Sequence, residues 1–189
     1  MKTSSKLLLM LARRLTAITG PQALKFLFDN DGEAMRRALR AHQAEGFITI
    51  STELVRARVT SDPIAVIERG GELPSPHRIA YESAQRWSRE ILPTLILRGT
   101  LKLAALYGGE VHLVVAGHVS HEVALTDVFF SKRSQNPAFE WTLVHAAPGA
   151  GALPDAIAAD VAIELVGRYN GKTIAAKLGI SATHRLELW

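Results

Sequence analysis

The sequence predicts an α+β protein, helical at its amino end and rich in strands toward its carboxy end. Three observations carry that prediction. Apolar residues recur every three or four positions between Lys6 and Glu45. After Gly46 the period shifts toward two. In the carboxy-terminal half the apolar runs are short, rich in Val, Ile and Phe, and bounded by Gly, Pro and Asn.

The elements follow in order. In KLLLMLARRLTAI, residues 6–18, Leu7, Met10, Leu11, Leu15 and Ile18 keep a helical period. Thr19 through Gln22 reads as a capping box with Pro21 early in the helix, opening the short helix ALKFLF. Asn30 and Glu33, three apart, give a second cap-like start. The third helix, EAMRRALRAHQAE, is closed by Gly46. Met35, Leu39 and His42 share one of its faces; Arg36, Arg37 and Arg40 share another. FITIST, LVRARVT and IAVIER, ending at Gly70 and Gly71, read as a short β-wing. Three short helices followed by a β-hairpin is the layout of a winged helix-turn-helix, here residues 1–72.

GELPSPH, with two prolines close together, is the expected linker into a second domain, residues 73–189. That domain is expected to open with a helix, HRIAYESAQRWSREIL, interrupted at Pro93, and a second, TLKLAALY, stopped at Gly108 and Gly109. VHLVVAG, VALTDVFF, FEWTLVHA and the segment 153–166 read as a sheet, GKTIAAKLG as a helix, and LELW as a terminal strand.

Composition narrows the chemistry. The chain of 189 residues has no cysteine, which excludes disulfides, thiol catalysis and cysteine-ligated zinc. No apolar run approaches the length of a membrane span. The acid-free amino terminus slightly resembles an organellar transit peptide, but it also reads as a packed helix. A soluble cytoplasmic protein, nucleoid- or plasmid-associated, is expected. The formal net charge is +4, and the basic excess falls in the amino-terminal half. That bias suggests a polyanionic partner there. Arg36, Arg37 and Arg40 have the character of a DNA-reading face, with Arg56 and Arg58 of the wing expected on phosphate. The competing reading is an ordinary solvated helix face, or a winged helix that contacts only protein.

Asp155 and Glu164 bracket a run of β-formers. A hairpin turning at Ala159-Asp160 sets them opposite each other, with β-carbons about 5 Å apart. Like charges so placed repel unless a cation or a shared proton intervenes. A divalent ion on oxygen ligands, Mg²⁺, would resolve the conflict. The pattern Pro154-Asp155 followed by Glu164-Leu165-Val166 resembles the PD-(D/E)XK nucleases. That resemblance implies two metal-holding acids and a lysine that helps activate water. Val166 stands where that lysine is expected, so Lys172, on the next helix, is the candidate replacement. His121 of the HVSH segment is placed near the acids if neighbouring strands align. Asp127, an acid on an apolar face, is either a third site acid or the cap of a sheet edge. Tyr169 is the candidate nucleophile of a DNA-relaxing transesterase, against the commoner role of a packed, hydrogen-bonded ring.

A longer resemblance runs from about residue 86 to the end. Arg86-Trp87, LKLAALYGGE, SHEVALTDVFF, LPDAIAADVAIELVGRY and the closing LELW are similar to the plasmid replication-relaxation family, and so is the winged helix. This resemblance implies a restriction-endonuclease-like second domain with a mixed sheet. It implies a double-stranded-DNA-binding protein of plasmids or mobile elements, acting in replication, relaxation or conjugative transfer beside replication or transfer proteins. Two alternatives stay open: an active metal-dependent endonuclease or nickase, and a winged-helix regulator or antitoxin. A homodimer is among the open assemblies.

Overall fold

The computed structural model describes residues 3–58, 60–109, 118–144 and 152–189. The protein is α+β, with two sheets among the described residues. In chain order its elements are α1 (Thr3–Arg13), β1 (Ile18–Thr19), α2 (Gly20–Leu27), α3 (Gly32–Ala44) and β2 (Ile48–Arg58). Then come β3 (Ala65–Ile67), α4 (Pro76–Arg86), β4 (Trp87–Gly99), α5 (Leu101–Tyr107) and α6 (Val119–Gln135). The carboxy-terminal elements are β5 (Thr142–Leu143), β6 (Ala156–Ala158), β7 (Val161–Glu164), α7 (Gly171–Leu178) and β8 (Arg185–Leu188). A 3₁₀ turn, Gly179–Ala182, precedes β8.

The chain forms two compact units, each built from two segments: Met1–Arg56 with Glu90–Phe130, and Ala57–Arg89 with Ser131–Trp189. These units do not follow the single cut expected at the GELPSPH linker. The chain leaves the first unit before that linker and returns after it, because the strand that completes the first sheet lies beyond it.

In the first unit, α1 buries Leu7, Leu8, Met10 and Leu11, the face its spacing foretells. The Thr19 capping box forms: the Gln22 N–H donates to Thr19 Oγ1 at 3.1 Å, and the Thr19 N–H donates to Gln22 Oε1 at 2.8 Å. The cap of α3 is Asp31 rather than Asn30. Its Oδ1 accepts from the N–H groups of Glu33 and Ala34 at 3.0 and 2.9 Å. Asp29 and Asn30 instead take positive φ, 50° and 65°, a conformation their short polar side chains tolerate.

The first sheet has the order β1-β4-β2. β1 runs antiparallel to β4, pairing Ile18 with Leu97 and Thr19 with Ile96. The expected wing therefore has a different return strand. The first two wing segments, FITIST and LVRARVT, supply one strand, β2, and IAVIER joins the other sheet. Residues 87–92, expected to be helical, begin β4 instead. Pro93 explains the change: it cannot sit in a helix interior and drives the residue before it toward extended backbone. It is tolerated in β4 because β1 reaches only residues 96 and 97, so among the described residues that side of the strand carries no partner at Pro93.

VALTDVFF, expected as a strand, lies in α6. Val123, Ala124, Leu125, Thr126, Val128, Phe129 and Phe130 are all buried. A helix buried on nearly every side shows no amphipathic period, so its sequence reads like a core strand. The expected strand VHLVVAG, residues 111–117, lies outside the described residues.

The second unit holds a mixed five-stranded sheet of order β3-β8-β7-β6-β5. β7 and β8 are parallel; the other neighbours are antiparallel. Ile79 of α4 with Ile174 and Leu178 of α7 pack against Ile67, Ala162, Val166, Leu186 and Leu188. No helix among the described residues is long and apolar enough to cross a membrane.

Candidate functional site

The β6–β7 hairpin turns at Ala159-Asp160. Its register pairs Ala156 with Ile163, Ile157 with Ala162 and Ala158 with Val161, as the sequence predicts. Two-residue hairpins need a positive φ at the first loop position, and Ala159 supplies φ 53° although it is not glycine. Continued one step, this register would set Asp155 against Glu164. The ladder does not continue. The Asp155 N–H donates to the Ile163 carbonyl at 3.0 Å, already the level of Ala156, as the extra residue of a bulge does. Asp155 Oδ2 then accepts from the N–H of Leu165 at 2.7 Å. The two acids thus lie within one peptide unit of each other, but they serve different donors.

Glu164 is fully buried, and Lys177 Nζ sits 3.0 Å from its Oε2. The same ammonium donates to the Leu153 carbonyl at 2.6 Å. Lys177 therefore ties α7 to the hairpin through a charged pair. Local sequence puts it there. Asn170 caps α7 by accepting from the Thr173 N–H at 2.9 Å. Ile174 and Leu178 are buried, and Lys177, one turn from Ile174, lies on the rim of that face. Lys172, expected to serve the acids, is on the exposed side of the first turn. The sequence reading missed Lys177; its spacing from Ile174 and Leu178 was the available signal.

Tyr169 packs at the edge of the second unit's core. Burial raises its phenol well above the ordinary value, and the carboxylates of Glu164 and Asp155 push in the same direction. The hydroxyl is kept protonated, the opposite of nucleophile activation. A Cβ on Gly167 would come within 3.0 Å of the Tyr169 ring, so the ring's seat depends on that glycine.

At the two acids, Lys177 Nζ meets Glu164 Oε2 and Asp155 Oδ2 accepts a backbone N–H. Among the described residues no cluster of three or more His, Asp or Glu could hold a metal ion. His121 stands in the first turn of α6, in the first unit, with Nδ1 3.8 Å from Glu122 Oε1. It is on a helix and not on the strand expected to carry it. Asp127, also on α6, accepts from Gln22 Nε2 at 2.7 Å. Burial raises its carboxyl, with the Gln22 hydrogen bond and the Lys25 charge opposing. Lying on a helix, it does not cap a sheet edge.

The arginine face of α3 is formed as expected. Arg36, Arg37 and Arg40 are exposed, Leu39 is buried, and Met35 and His42 are half-buried. Arg37 and Glu33 make an exposed i,i+4 pair at 3.8 Å. Arg56 is half-buried, and its backbone N–H donates to Ser120 Oγ at 2.9 Å. Arg58 departs from the expectation of a phosphate contact on the wing. It is buried, with its guanidinium over the Trp87 ring at 5.5 Å. Arg58 shares its strand face with exposed Leu54, so alternation alone does not bury it; the indole face offers a cation a favourable seat.

Comparisons with protein-family models, with curated proteins and with solved structures each gave no match.

Proposed function

We propose that this protein binds double-stranded DNA through α3, and that its Asp155–Glu164 hairpin is a nuclease-like site turned to structural use. One observation carries the reading: three exposed guanidinium groups, Arg36, Arg37 and Arg40, stand within five residues of α3. A helix so charged suits the phosphates and guanine edges of a duplex. The surroundings support a winged helix. Three helices precede two long strands, and the short β1 pairs with the second of them. Residues 59–86 are then an insertion between the wing strands.

The resemblance to the plasmid replication-relaxation family gives this binding its setting, a plasmid or mobile element in replication, relaxation or transfer. The Lys177–Glu164 pair supports binding without cleavage, since it neutralises an acid that metal-dependent hydrolysis would need. The direct test is duplex affinity across a salt series. Log K should fall steeply and linearly with log salt, whereas a salt-insensitive or absent interaction rejects the reading.

A second reading rests on the same hairpin. Asp155, Glu164 and a lysine come together there, which is the residue set of a metal-dependent endonuclease. Incubation of supercoiled plasmid with Mg²⁺ or Mn²⁺ separates the two. Nicking that is lost in Asp155→Ala supports the enzyme, and an intact plasmid supports the binding protein.

A further inference from the structure

Arg58, at the end of β2, is more than nine-tenths buried. Two of its three guanidinium nitrogens, Nε and Nη1, have no hydrogen-bond partner. The third, Nη2, is 3.5 Å from the Val166 carbonyl, which already accepts Ser83 Oγ at 2.5 Å. The Trp87 indole beneath the guanidinium is buried too, and its Nε1 also lacks a partner. Arg86, next in the chain, donates to the Asp62 carbonyl. Burial first, and the Arg86 charge second, lower the Arg58 pKa to about 10. Among the described residues no carboxylate pairs with Arg58. The cluster is all donors: two cationic side chains and an indole N–H, without an anion. Natural proteins rarely leave such groups unanswered.

We infer that Arg58, Trp87 and Arg86 form a receptor for an oxyanion of the phosphate class, a phosphate monoester or free phosphate. The chemistry selects the class. Two positive charges call for a dianion, and donors on three separate side chains call for an acceptor with several outward oxygens. A carboxylate has one charge and two oxygens in a plane. The Val166 carbonyl, itself held by Ser83 Oγ, faces the guanidinium at Nη2. Arg58 and Trp87 are buried and Arg86 is half-buried, so entry to the two buried donors takes a local opening. The inference stands apart from the DNA-binding face on α3.

The test is thermal unfolding of the full chain in millimolar phosphate, sulfate or acetate, at ionic strength matched with chloride. Phosphate and sulfate should raise Tm, acetate should not, and Arg58→Met should lose the increment. This difference between the two proteins removes general salt effects. Arg58→Met in chloride alone should be no less stable than the native chain, since it discards an unpaired buried charge. Trp87→Phe keeps the ring and removes one donor; it should weaken half-saturation by about tenfold. If Arg58→Met does not fold, Trp87→Phe decides. A phosphate increment absent from the native chain overturns the inference, as does one unchanged in the folded variants or one matched by acetate. A 5′-phosphorylated dinucleotide that outperforms inorganic phosphate, where its unphosphorylated form does nothing, identifies a strand end as the source. Equal responses identify free phosphate.

Discussion

Lys177 Nζ lies 3.0 Å from Glu164 Oε2, and the carboxylate it meets has no solvent exposure. Removing the ammonium deprives a buried carboxylate of a positive charge. Lys177→Met should therefore lower unfolding free energy by about 3 kcal/mol, read from urea denaturation. The double variant Glu164→Gln with Lys177→Met should lose less than the single variant, because no charge is left without its counterion. Equal losses would mean that the pair contributes packing alone.

Replacing Arg36 and Arg40 by alanine tests the α3 face. For every phosphate that the double variant no longer neutralises, the slope of log K against log salt should flatten by about 0.9. Both side chains are exposed, so stability should stay within about 0.5 kcal/mol of the native chain. An unchanged slope in a folded double variant places the DNA-binding face elsewhere or removes it.

Glu53 gives the fold an acid limb. Its carboxylate takes a side-chain hydrogen bond from Arg98, with a second pairing of Nη2 to Oε2 at 3.0 Å. That bond holds its pKa below the ordinary 4.5, with burial opposing and Ser51 assisting. A carboxyl lowered in the fold gives stability that is present above the unfolded value and lost as pH falls through the folded one. Glu53→Gln should therefore flatten the decline of Tm below the ordinary 4.5, measured by a pH series of thermal melts.

Tyr169 gives the opposite limb. Its phenol is raised by burial first and by the two carboxylates after. The unfolded chain releases that proton near the ordinary 10.0 while the fold keeps it, so stability falls as pH rises through and beyond that value. Tyr169→Phe should remove this component, and phenolate absorbance should lose its latest-titrating phase.

Ala159 carries a positive φ of 53° at the tip of the β6–β7 hairpin. Alanine pays for that conformation and glycine does not, although glycine costs more unfolded-state entropy. Ala159→Gly should stabilise the protein by about 0.5 kcal/mol. A decrease in stability would show that the turn is not strained.

The local signals in the sequence carried well where they were short-range and chemical. Thr19 with Gln22, the Gly46 and Gly108 helix ends and the turn at Ala159-Asp160 depend on neighbours within four residues, and each is present. What failed was long-range. Nothing in IAVIER states that β3 pairs with β8, at the other end of the chain. VALTDVFF has the composition of a core strand because α6 is buried on nearly all sides. At the acids, the sequence showed the hairpin register but not the bulge at Asp155, which depends on one added hydrogen bond. Lys172 and Lys177 were both available on α7, and only the helix's buried stripe, fixed by Ile174 and Leu178, chooses between them.

The detour of residues 59–86 between β2 and β4 dictates how the chain can be dissected. Truncation at the linker would yield an amino-terminal fragment with β2 and no β4, its longest strand offering an open edge to any neighbour. The complementary fragment would begin without β3 and expose the side of β8 that it covers. Subcloning at that linker should therefore give insoluble halves, and co-expression should restore soluble material only if the two pieces reassemble across both sheets.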